Sequence, residues 1–106
     1  MSIKIFHSSD QYEQVIAVGV SLVDFGAPWC APCRSQEPIL EKLADRYGKK
    51  ATIASINIDD HPDLAARLNI KSIPTLIVFR NQKEILRFVG LQSDTTLAEA
   101  LDNALN

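Results

Sequence analysis

The seven residues Val20-Ser21-Leu22-Val23-Asp24-Phe25-Gly26 constrain this chain more than any other stretch. Apolar, often β-branched side chains stand at nearly every position rather than every second one. That composition marks a strand covered on both faces, as in sheets with helices packed on each side. One residue breaks the pattern, because Asp24 places a carboxylate among apolar neighbours. The run leads directly into Pro28-Trp29-Cys30-Ala31-Pro32-Cys33, which holds both cysteines and the only tryptophan of the chain.

The remaining segments supply the other layers. Ile3 to Phe6 reads as a short strand. Ser8 and Ser9 offer N-caps, with Gln11 in capping-box spacing from Ser8, for a helix carrying Tyr12, Val15 and Ile16 and closed by Gly19. Ile39, Leu40, Leu43, Ala44 and Tyr47 mark one face of a second helix that ends at Gly48, with Pro38 expected to kink it. Ala51 to Ile58 reads as a buried strand, and His61-Pro62-Asp63 opens a short helix stopped at Asn69. Thr75 to Phe79 and Glu84 to Val89 flank the polar turn Arg80-Asn81-Gln82-Lys83 and predict an antiparallel hairpin. Ser93 caps a last helix in which Leu97, Leu101 and Leu105 recur every fourth residue. The order β-α-β-α-β-α-β-β-α predicts an α/β fold, a mixed sheet with helices on both faces.

Length and charge exclude several classes. The chain has 106 residues, 46% apolar and 23% charged, which suits a single domain over residues 1–106 with one core. Eleven Lys and Arg against thirteen Asp and Glu, with no basic block, argue against a nucleic-acid partner. No apolar run approaches the roughly 18 residues of a membrane span, and the N-terminus lacks a secretory h-region, so the expected location is cytoplasmic. In a reducing compartment a Cys-x-x-Cys pair points to redox or metal chemistry before structural stapling.

Position gives the two thiols unequal chemistry. In open sheets of this kind sites form beyond the carboxyl ends of the strands, where Val20 to Gly26 delivers the cysteines. Pro32 suits the first turn of the following helix, which places Cys30 near the N-cap and Cys33 about one turn further in. Unsatisfied N–H groups and the positive end of the helix dipole favour a thiolate at Cys30, the expected nucleophile. Cys33, more enclosed, is expected to resolve a mixed disulfide. A zinc site needs further ligands, and His7 and His61 are not at finger spacing, so no metal is expected. Haem attachment needs a histidine where Arg34 stands. Asp24 is either a desolvated carboxylate able to exchange a proton near neutrality, as deprotonating Cys33 requires, or an edge-facing or salt-bridged residue. Before its strand Pro74 marks at least the first residue, and local sequence gives no warrant for a cis bond.

Val23-Asp24-Phe25, Ala27-Pro28-Trp29-Cys30-Ala31-Pro32-Cys33, Pro38, Asn57-Ile58-Asp59, Ile73-Pro74-Thr75 and Gly90, in this order over essentially the whole chain, resemble the thioredoxin family. The resemblance implies a thioredoxin fold, a central mixed sheet of about five strands flanked by four helices. It implies a disulfide reductase with Cys30 attacking, Cys33 resolving, Asp24 as buried proton acceptor and Pro74 cis and packed against the pair. Ile73 would offer backbone groups to an extended client, while Trp29, Ala31, Pro32, Gly90 and Leu91 would line an apolar docking surface. The implied partners are disulfide-containing client proteins and a thioredoxin reductase drawing on NADPH, with no bound cofactor and a monomeric domain. The competing class is a thioredoxin-fold binding subunit that docks a partner through Trp29, Pro74 and Leu91 without redox turnover.

Three positions depart from the family pattern. Gly26 stands where an aromatic residue is usual, which removes a wall beside the site. Ser55 stands where many relatives carry a lysine near the buried aspartate, so Asp24 lacks a charge partner favouring its ionised form. Ala31 replaces the usual glycine between the cysteines and adds no charge, which fits reductase rather than oxidant behaviour.

Overall fold

A computed structural model describes residues 3–106. Five strands form one mixed sheet in the order β1-β3-β2-β4-β5. The strands are β1 (Lys4–Ile5), β2 (Val20–Gly26), β3 (Ala51–Asn57), β4 (Thr75–Arg80) and β5 (Lys83–Val89). Four helices, α1 (Ser9–Ile16), α2 (Ala31–Tyr47), α3 (Pro62–Arg67) and α4 (Asp94–Leu105), and a 3₁₀ turn over Ile58–Asp60 are the other elements of the described residues. β1 and β2 run parallel to β3, while β4 pairs antiparallel with both β2 and β5.

The central strand is buried at all seven positions, as its unbroken apolar composition requires. Its alternating side chains feed two cores. Val20 and Leu22 join Leu76 and Val78 under α2 and α4, where Leu40, Leu43, Leu97 and Leu101 pack. Val23 and Phe25 join Ile77 and Phe79 on the opposite face with α1 and Leu64 of α3. There Tyr12 meets Phe6, Phe25 and Phe79 edge to face, with ring centroids 5.9 to 6.2 Å apart. Asp24 shares the face of Leu22 and is therefore aimed at α2, not at the edge of the sheet.

Helix ends follow the capping residues. Ser8 Oγ accepts from Gln11 N–H at 3.2 Å, but Gln11 Oε1 accepts from His7 N–H at 2.7 Å rather than from the cap residue itself. Ser93 Oγ accepts from Thr96 N–H at 3.1 Å. α1 stops at Ile16, and Gly19 follows at φ +72 with its N–H donated to Asn81 Oδ1. α2 runs through Pro38 as one helix. In α4, Leu105 is 36% exposed and the inner face is completed instead by Ala98 and Ala104.

The hairpin turn is narrower than the four polar residues predict. β4 and β5 extend to Arg80 and Lys83, which pair directly, and only Asn81 and Gln82 bridge them with φ of +49 and +78. Two successive positive φ values match the right-handed twist of the flanking strands. At the other end of β4 the Ile73–Pro74 peptide bond is cis.

Candidate active site

The carboxyl end of β2, the start of α2 and the turn before β4 meet at one point. Cys30 is the N-cap of α2, its Sγ accepting the Cys33 N–H at 3.3 Å. Pro32 occupies the first turn, where the missing N–H leaves no bond unmade. Cys30 and Cys33 are joined by a disulfide with Cα atoms 5.2 Å apart, and both are 6% exposed. Ala27 and Ile73 pack with the two cysteines, and the Ile73 carbonyl oxygen lies 3.9 Å from Cys30 Sγ.

Asp24 lies beneath the pair. It is 4% exposed, and its Oδ1 finds no hydrogen-bond partner among the described residues. Burial, reinforced by the Glu37 carboxylate, pushes its pKa up to about 7. The edge-facing reading of Asp24 therefore fails, since β2 is the central strand. A cavity of about 410 Å³ opens beside it, lined by Asp24, Cys33, Glu37, Glu41, Ser55 and Asn57 and by apolar residues that include Ile3 and Ile5. The room follows from two small residues. Ser55 pairs in register with Asp24 across β2 and β3. A Cβ at Gly26 would stand 3.0 Å from Cys33 Sγ, while its 3.7 Å to Asp24 Oδ1 is an ordinary contact, so only glycine leaves the sulfur uncrowded.

Around the disulfide the surface is apolar and open. Trp29 is 67% exposed, with its indole N–H donated to Asp59 Oδ2 at 2.7 Å. Ala31, Pro32 and Leu91 are exposed, while Ile73 and Gly90 are half-buried and Pro74 is buried. Gly90 N–H donates to the Pro74 carbonyl at 2.8 Å, which holds the 90–91 turn against the cis-proline turn. Among the described residues no group of three or more His, Cys, Asp or Glu side chains is placed to hold a metal ion.

Three contributors were given no role from the sequence, although Asp59 belongs to the Asn57-Ile58-Asp59 motif. Gln36, fully buried, donates from Nε2 to the Gln92 carbonyl at 2.9 Å and accepts the Gln92 N–H at 2.8 Å. It ties the turn bearing Gly90 and Leu91 to α2. An amide between Cys33 and Leu40 on the buried stripe of α2 was the available signal. Glu37, one position on, faces the cavity instead, and Asp59 fixes the Trp29 ring. Neither role has a local sequence signature.

Comparisons with known proteins agree on one family. The family model for thioredoxin matches residues 3–103. A thioredoxin of Staphylococcus haemolyticus is 43% identical over 98 residues, 92% of this chain and 94% of that protein. One from Staphylococcus aureus is 44% identical over 94 residues, 89% of this chain and 90% of the relative. Among solved structures, a mutant thioredoxin from Halobacterium salinarum superposes with a TM-score of 0.92 at 28% identity, covering 99% of this chain and 92% of that one. The thioredoxin of Malassezia sympodialis gives 0.87 at 30% identity with the same coverage.

Proposed function

The chain belongs to the thioredoxin family, and from that premise we propose how its residues divide the work. Like its relatives it is a thiol–disulfide oxidoreductase acting on disulfide-containing client proteins, in a family that works without a bound cofactor. The observation that carries the division of labour is Cys30 at the cap of α2, with Cys33, equally buried, one turn further in beside Asp24.

In the reduced protein Cys30 is the nucleophile. The helix N-terminus and the Cys33 N–H aimed at its sulfur favour the thiolate. Its electron pair attacks one client sulfur, the client disulfide breaks, and the departing client sulfur takes up a proton. Cys33, held near Asp24, then gives its proton to that carboxylate and attacks Cys30 Sγ. The second client thiolate leaves, and the Cys30–Cys33 disulfide forms. Two electrons have passed from the pair to the client.

Docking is assigned to Trp29, Ala31, Pro32, Gly90 and Leu91, with Ile73 offering backbone hydrogen bonds to an extended client segment and cis-Pro74 shaping the turn. The exposed indole and the apolar loop beside it support this reading. Electrons return to the disulfide from NADPH through a thioredoxin reductase. Residues 1–106 act as a single, monomeric, cytoplasmic domain. Insulin reduction with Cys30→Ser and Cys33→Ser tests the assignment, both variants being expected to lose turnover. Retained turnover in either would overturn it and leave a docking role.

A further inference from the structure

The cavity under Cys33 has the features of a ligand site rather than of a packing flaw. Its volume, about 410 Å³, lies in the range of small-molecule pockets. Asp24 lines it, 4% exposed and with Oδ1 unpartnered among the described residues. Glu37 and Glu41, one helical turn apart on α2, stand exposed at its wall, while no cationic side chain is among its lining residues. The lining also includes Ile3 and the 59%-exposed Ile5 of β1. Three carboxylates share the lining with these apolar side chains, and they are not gathered closely enough to ligate a single metal ion.

We propose that this cavity binds a small alkylammonium ion. Its charged head would pair with Asp24 and its carbon chain would lie along the Ile3 and Ile5 wall. A buried carboxylate with a free acceptor oxygen favours a cation that can donate a hydrogen bond. A short apolar chain suits the remaining wall, which a bare inorganic cation would leave wet. The binding stands without any assumption about thiol chemistry. Its consequence, a cation holding Asp24 ionised beside Cys33, rests on Asp24 being the proton acceptor.

The test therefore reads binding. Butylammonium is titrated into the oxidised protein at pH 8, where Asp24 is ionised, and at constant ionic strength, with amide shifts of Gly26, Ser55 and Asn57 followed by NMR and 1-butanol as the uncharged control. Saturable shifts with a dissociation constant on the order of millimolar are expected. Asp24→Asn should weaken binding at least about tenfold. Ser55→Lys, which sets a tethered ammonium in the cavity, should abolish the shifts, and its spectrum reports folding independently. Equal binding of butanol, undiminished binding in either variant, or no saturable shift in the parent would each overturn the site.

Discussion

Asp24 and Ser55 stand side by side in register across β2 and β3, and both line the cavity beneath Cys33. With no cation among those lining residues, burial and the Glu37 carboxylate together raise the Asp24 pKa to about 7. Ser55→Lys would bring an ammonium to the same cavity and favour the ionised carboxylate. NMR titration of the Asp24 carboxyl carbon should show it titrating at clearly lower pH in the variant. Identical midpoints would remove Ser55 from the tuning of this site.

The same ionisation bears on stability. Folded Asp24 titrates near 7, against about 3.9 for an unburied aspartate. Below the lower value both states hold the proton and stability is greatest. As pH rises through the window the unfolded chain alone releases it, so stability falls and the loss is complete above the folded value. The full window corresponds to about 4 kcal/mol as an order of magnitude. Asp24→Asn should therefore be more stable than the parent near pH 8 and close to it near pH 4 by urea denaturation. A pH-independent difference would contradict the raised pKa.

Gly26 is the second point of tuning. An alanine there would press its Cβ to 3.0 Å from Cys33 Sγ, which the disulfide to Cys30 holds in place. Gly26→Ala should destabilise the oxidised protein by about 1 kcal/mol or more. The reduced protein, whose Cys33 side chain can turn away, should lose less. Denaturant midpoints in both redox states check this, and a stabilised oxidised form would show that the sulfur yields.

Gln36 should matter through the turn it holds. Gln36→Ala strands the Gln92 N–H and carbonyl now satisfied at 2.8 and 2.9 Å. A loss of about 1 to 3 kcal/mol in stability is expected. If Gly90 and Leu91 form the docking surface, KM for a disulfide peptide rises while kcat stays near the parent value. An unchanged KM would separate this turn from docking.

What could be read from the chain depended on how local its cause was. Val20 to Gly26 has the predicted bounds because every residue in it is buried by neighbours on both faces, a condition visible in composition. Ser8 and Ser93 cap the helices that follow them because the bond spans only three residues. The hairpin turn was drawn too wide because Arg80 and Lys83 are polar yet pair across strands near the rim of the sheet. The cis bond before Pro74 has no local signal and came only with the resemblance. Whether Asp24 was buried or ion-paired could not be decided from spacing, since the answer lies in how α2 crosses β2. For the same reason Glu37 went unread: it is an ordinary exposed helix residue until Asp24 is placed opposite.

Covalent trapping tests the unequal roles of Cys30 and Cys33 most directly. Cys33→Ser and Cys30→Ser are each reduced and mixed with a disulfide peptide, and the adducts are resolved by intact mass. The predicted result is a persistent mixed disulfide through Cys30 in Cys33→Ser and little or none in Cys30→Ser. Equal or greater trapping at Cys33 would contradict it.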